Sequence, residues 1–173
     1  MGVYEPLASK YRPTSLDDFI GQQHLVGPNG PIRKFLELGR VPSMIFWGPP
    51  GTGKTTLAYI ISLNLYYDFY KMQAVNSGKD ELRKILKIAV NNQQYNKKTM
   101  LFLDEIHRWN KAQQDTLLPY VEKGLITLIG ATTENPSFTI ISALLSRTKV
   151  FVFNQHTPED ISILIKRVSK KEY

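Results

Sequence analysis

Two stretches combine residue types and spacing from which chemistry can be built. The first is "GPPGTGKT", Gly48 to Thr55, a glycine-rich run closed by a lysine and a hydroxyl residue. Turns of the form G-x-x-x-x-G-K-[ST] let successive backbone N–H groups curl around phosphate oxygens. The lysine supplies a mobile cation and the hydroxyl a ligand for Mg²⁺. The second is "TMLFLDEIHRWNKAQQD", in which an apolar run, Met100 to Leu103, stops at two adjacent carboxylates, Asp104 and Glu105. Beside a bound triphosphate, one carboxylate can hold Mg²⁺ and the other can orient or deprotonate an attacking water. The pair points to hydrolysis rather than to phosphate transfer onto a bound acceptor. Gly48, Pro49, Pro50, Gly51, Thr52, Gly53, Lys54, Thr55 and Thr56 are therefore the expected phosphate-binding residues. Thr55 and Asp104 are the expected metal ligands, and Lys54 and Glu105 act in catalysis.

Such groups work only if rigid elements aim them. "SMIFWG" reads as a short apolar strand running into the glycine turn, and "KTTLAYIISLNLYY" as a helix, with Leu57, Ile60, Ile61 and Leu65 at helical spacing. Further strands are expected at "KMQAVN", "TMLFLD", "LITLIGATT" and "KVFVFN". Helices are expected over "KDELRKILKIAV" and "NKAQQDTLLPYVEKG", and over a short amphipathic segment containing Ile32, Phe35, Leu36 and Leu38. "TPEDISILIKRVSKK" opens with a capping box, Thr157 at the N-cap, Pro158 in the first turn and Asp160 reaching back. Strands alternating with helices predict an open, mostly parallel α/β sheet. The near-continuous apolar strands predict helices on both faces. Ligands of such sheets sit beyond the carboxyl ends of the strands, which is where Asp104 and Glu105 fall.

A phosphate loop followed by an apolar run ending in Asp-Glu resembles the AAA+ ATPases. "LASKYRPTSLDDFIGQQHLV", "LFLDEIHRWNKAQQD", "GATTENPSF" and "SALLSR" together resemble the replication-associated recombination protein A family, whose eukaryotic relatives are the Werner helicase-interacting ATPases. The resemblance runs from about Leu7 to Phe153. It implies a P-loop NTPase three-layer sandwich with a parallel five-stranded sheet over residues 1–154. Residues 155–173 become the first helix of a helical lid, in a bacterial-type N-terminal fragment. It implies ATP and Mg²⁺ as cofactors, and a strand carrying Thr133 between the phosphate-loop strand and the Asp104 strand. Thr133 then takes the polar sensor position and Arg147 becomes a finger acting on a neighbouring subunit's nucleotide. Tyr11, Arg12, Ile20 and Gly21 border the adenine. Trp109, where the family more often has Phe, is expected to pack, and Thr132 reads as an ordinary β-former.

The resemblance further implies a homo-oligomer acting on single-stranded or forked DNA, in contact with replication proteins, in the bacterial cytoplasm at the nucleoid. The alternative, a nucleotide-gated scaffold or a clamp-loader-like or Holliday-junction-motor-like subunit with little turnover of its own, shares the same loop. So does a small-molecule phosphotransferase, for which no acceptor pocket is evident. Composition is compatible with all three. Hydrophobic residues make up 42% and charged residues 21% of the chain, as in soluble globular chains. The net charge of +7, from 22 Lys+Arg against 15 Asp+Glu, suits a polyanionic partner, and equally a lysine-rich solvated surface. The absence of cysteine excludes disulfides, thiolate zinc sites and cysteine nucleophiles. No apolar run reaches the roughly 18 residues of a membrane span. The opening residues carry neither a signal-peptide core nor the pattern that follows a myristoylated glycine.

Overall fold

The computed structural model describes residues 6–172. The chain runs α1 (Leu7–Lys10), α2 (Gln23–Val26), α3 (Pro31–Glu37), β1 (Met44–Trp47), α4 (Lys54–Leu65), β2 (Asp68–Gln73), α5 (Lys79–Gln94) and β3 (Thr99–Asp104). After a 3₁₀ turn (Ile106–Arg108) come α6 (Lys111–Asp115), α7 (Leu118–Glu122), β4 (Ile126–Thr132), α8 (Pro136–Thr139), α9 (Ser142–Leu145), β5 (Lys149–Val152) and α10 (Pro158–Glu172). The strands form one five-stranded sheet, order β2-β3-β4-β1-β5, and every neighbouring pair is parallel. β4 lies between β1 and β3, as the resemblance implied.

Alternation along the strands builds two cores. Met44, Phe46, Met100, Phe102, Ile129 and Ala131 face Leu57, Ile60 and Ile61 of α4 and Ile32 of α3. Ile45, Leu101, Leu103 and Leu128 point the other way, onto Leu82, Ile85 and Leu86 of α5, with Leu117 and Leu144. Helices thus cover both faces, and the central strands are buried almost throughout, as their apolar sequences require.

Three expectations need correction. β2 begins at Asp68 rather than Lys71, pairing Asp68 with Thr99 through Gln73 with Asp104, and residues 74–76 form a turn. Its residues are largely half-exposed, so no apolar run marks them. The single helix expected over residues 110–124 is two short ones. Pro119, lacking an N–H, sits in the first turn of α7, where no donor is needed, and cannot continue α6. Leu38 is not on the buried face of α3 but follows its end, 68% exposed. At the other end of the chain the capping box forms. The Asp160 N–H donates to Thr157 Oγ1 at 3.2 Å, and the Thr157 N–H to Asp160 Oδ2 at 3.0 Å. Among the described residues no helix is long and apolar enough to cross a membrane. The Gly2 reading lies outside the described residues.

Candidate functional site

β1 ends at Trp47 and α4 starts at Lys54, so the glycine run spans the gap between a strand tip and a helix N-terminus. Gly51 and Gly53 sit at φ of +72° and +96°, conformations that L side chains rarely adopt. A Cβ on Gly53 would lie 2.7 Å from Cζ of Phe19, whereas one on Gly51 meets nothing within 4 Å. The loop is braced from behind and open in front. The Lys54 ammonium folds back onto the loop, donating to Gly48 O at 2.7 Å and Pro49 O at 2.6 Å. Burial lowers its pKa from the ordinary lysine value, and the negative charge of Asp104 pushes it part of the way back up. Thr52 is pinned inward, its hydroxyl donating to Pro49 O at 2.8 Å.

The two carboxylates arrive from β3. Asp104 closes the strand, and the Glu105 N–H donates to its Oδ1 at 3.0 Å. Glu105 adopts φ +54° and ψ +43°, a left-handed conformation unusual for a glutamate and held only where surrounding structure enforces it. The following turn supplies that enforcement. Trp109 is buried, as expected, and its indole N–H donates to Ala74 O at 3.2 Å, a bond that Phe could not make. Gln114 donates to Trp109 O and Thr139 O and accepts from the Ile141 N–H, tying the turn to α8 and α9.

These parts meet in one cleft of about 240 Å³, lined by Pro50, Gly51, Gly53, Lys54, Thr55, Asp104, Glu105 and Thr133. Two wider clefts, of about 400 and 520 Å³, lie beside α6 and carry none of these groups. Thr133 directly follows β4 and is exposed to the cleft side. Thr132, by contrast, is buried, and its hydroxyl lies 2.9 Å from His107 Nδ1 while accepting the Glu134 N–H at 3.0 Å.

Tyr11, the exposed Arg12, Ile20, Gly21 and Arg147 do not line this cleft. Tyr11 caps α1, half-buried, with the Lys10 and Lys171 ammonium groups 5.1 and 5.7 Å from its ring centroid. Ile20 is half-buried, and Gly21 abuts the ring of His156 and the carboxylate of Asp160. Arg147 stands just before β5, bonded to Ala143 O at 2.7 Å and paired with Glu122 at 2.7 Å. In the β1–β5 register Met44 pairs with Lys149, and Phe153 N–H reaches Trp47 O. The stretch from Lys149 to Phe153 is about 13 Å of strand. Arg147 therefore lies near the amino end of the sheet, away from its own phosphate loop.

Sequence reading missed the buried Gln22. It donates to Asn154 O at 2.7 Å and Thr52 O at 3.3 Å, and accepts the Asn154 N–H at 2.9 Å. One side chain joins the N-terminal segment, the phosphate loop and the end of β5. No local pattern announces it, because its partner Asn154 is 132 residues away in the chain.

A family model described as the ATPase family associated with various cellular activities (AAA) matches residues 44–156. The chain belongs to that family. Within the AAA family it is 49% identical over 95% of its length to replication-associated recombination protein A of Haemophilus influenzae, and 49% identical over 92% to the Escherichia coli protein of that name. It is also 49% identical over 95% of its length to ATPase WRNIP1 of Dictyostelium discoideum. It spans 37%, 36% and 19% of those proteins. Among solved structures it resembles the Thermotoga maritima RuvB Holliday junction branch migration motor, at TM-score 0.67 and 31% identity, over 90% of this chain and 53% of that one. The parallel sheet and the placement of the loop agree with AAA membership.

The donor set fits a magnesium nucleotide. Among the described residues no three His, Asp or Glu side chains gather to enclose a metal. A hydroxyl and one carboxylate, Thr55 and Asp104, are what an ion takes when phosphate oxygens and water complete its shell.

Proposed function

We propose that this chain is the ATP-hydrolysing core of a DNA-acting machine of replication-associated recombination. The convergence of the glycine loop, Asp104, Glu105 and Thr133 on one cleft carries that reading. The names of its relatives support the setting, and the +7 charge suits a nucleic-acid partner.

When bound, Mg–ATP supplies the electrophilic terminal phosphorus and its own charge neutralisation. The backbone N–H groups of residues 51–55 and the amino end of α4 receive the phosphates. Lys54 exchanges the carbonyls of Gly48 and Pro49 for phosphate oxygens. Thr55 Oγ1, and the Asp104 carboxylate through the ion's water shell, would hold the metal. Glu105 accepts a proton from the attacking water, and the Thr133 hydroxyl orients that water or the terminal phosphate. Arg147 serves the nucleotide of a neighbouring copy, offsetting transition-state charge, since its own loop lies at the far end of the sheet. Tyr11, Ile20 and Gly21 border the adenine. Their support is the Gln22 tie between that segment and Thr52.

We also infer that residues 155–173 open a helical lid. α10 leaves Ile161, Ile163, Leu164 and Ile165 exposed, an apolar surface suited to a further layer of helix.

ATPase rates of the full-length protein, with and without single-stranded and forked DNA over a salt series, test the proposal. Stimulation by DNA that fades with salt is the expected result. Lys54→Ala should lose nucleotide binding. Glu105→Gln should bind nucleotide and turn over at least about a hundredfold more slowly. A rate indifferent to DNA would favour the scaffold reading, and a Glu105→Gln variant at full speed would remove hydrolysis through Glu105.

A further inference from the structure

His107 takes no part in the chemistry above, yet its side chain is only 6% exposed. It sits in the turn that follows Glu105, and its Nδ1 lies 2.9 Å from the Thr132 hydroxyl at the tip of β4. That hydroxyl has one proton and two lone pairs. It accepts the Glu134 N–H at 3.0 Å, so it meets His107 Nδ1 with its remaining donor or acceptor capacity while lying 3.2 Å from Glu134 O. The other ring nitrogen lies 3.9 Å from Glu134 Oε1, too far for a hydrogen bond. The Nδ1 contact is thus the ring's tie to β4.

The geometry gives that tie a purpose. Glu105 holds an unfavourable backbone conformation, and its turn is fastened on the β2 side by the Trp109 indole to Ala74 O. On the β4 side the fastening is His107 to Thr132, whose next residue is Thr133. We propose that His107 is a positioning residue for hydrolysis: it locks the turn carrying Glu105 to the strand tip carrying Thr133, so that both approach the same water at one fixed spacing. This rests on the hydrolytic reading of the cleft. A buried histidine that merely fills the core would affect stability alone, and the two roles separate experimentally.

In the full-length protein, Thr132→Val keeps the branched shape and removes the hydroxyl. His107→Asn keeps an amide near the Nδ1 position, whereas His107→Gln places one near Nε2. Thr132→Val and His107→Phe should each lower kcat by about tenfold or more, with ATP KM and fluorescent-ADP affinity within about twofold of wild type. His107→Asn should recover much of the rate and His107→Gln little. The His107→Phe/Thr132→Val double variant should be no slower than the worse single, because both remove the His107–Thr132 contact and only Thr132→Val also removes the acceptor of the Glu134 N–H. Unchanged kcat in Thr132→Val, multiplying losses in the double variant, equal recovery by Asn and Gln, or a lowered Tm with normal kcat per folded molecule would each overturn the assignment. If wild type itself fails to hydrolyse ATP, the hydrolytic reading falls first. Normal wild-type turnover with an indifferent Thr132→Val sinks the positioning role alone.

Discussion

Glu105 is asked for two things that conflict. Its carboxylate must face the cleft, and its backbone must turn left-handed to put it there, which costs an L residue roughly 1–2 kcal/mol. Glycine would adopt that conformation freely, though it is more flexible when unfolded, by roughly 0.5–1 kcal/mol. A Glu105→Gly variant should therefore melt no lower than wild type, and up to a few degrees higher, while losing hydrolysis. A clear drop in its melting temperature would mean that the backbone is not strained there. Lys54 shows a related tension. Its ammonium is partly buried against its own loop, and burial disfavours the charge that phosphate binding requires. The field of Asp104 works against that loss. These residues were legible in the sequence because their chemistry is local: a loop of eight residues, and two acids at a strand end. The His107–Thr132 contact was not, since it joins residues 25 apart, and nothing beside Thr132 distinguishes a β-former from a hydrogen-bond partner.

The elements divide in the same way. β1, β3 and β4 were readable because burial on both faces forces apolar runs. β2 was misplaced because no apolar run marks its start and its first residue belongs to a polar cluster. Asp68 pairs with Lys97 at 2.8 Å and accepts from Asn92 at 2.9 Å and Tyr70 at 3.3 Å. The Lys97 hydrogen bond, helped by Asn92, holds the Asp68 carboxyl below the usual aspartate range, and Asp68 raises Lys97. A depressed carboxylate contributes stability above its unfolded pKa and loses it as pH falls through the folded value. A raised lysine contributes below its unfolded value and loses that contribution as pH climbs through the folded one. The melting gap between wild type and Asp68→Asn should therefore stay level through neutral pH and close below about pH 4. A gap that persists under acid would deny the pair its role. Gln22 holds elements together rather than building one. Gln22→Leu would leave the carbonyl of buried Thr52 without that donor, at a cost of about 1–3 kcal/mol, visible as a lower melting midpoint and as weaker nucleotide binding through Thr52.

At the scale of the molecule, the sheet has a phosphate loop at its carboxyl end and Arg147 toward its amino end. In the proposed head-to-tail assembly the amino end of one sheet meets the carboxyl end of the next. Arg147→Ala protein should assemble but not turn over. Mixing it with a Lys54→Ala protein should restore part of the activity, because some interfaces then pair an intact loop with an intact arginine. Absence of restoration in assembled mixtures would argue against action between subunits. To reach a neighbour's nucleotide Arg147 would have to give up its bond to Glu122, so Glu122 is the group that would compete with that nucleotide for it.

In such a proposed head-to-tail assembly, completeness becomes a matter of counting. A closed circle of n copies owns n finished sites, whereas a lock-washer with a gap owns n − 1, its terminal members left with a loop or an arginine unmatched. In that proposed assembly, a DNA that held the circle open or sprang it shut would change turnover by a whole site without touching a residue inside a cleft.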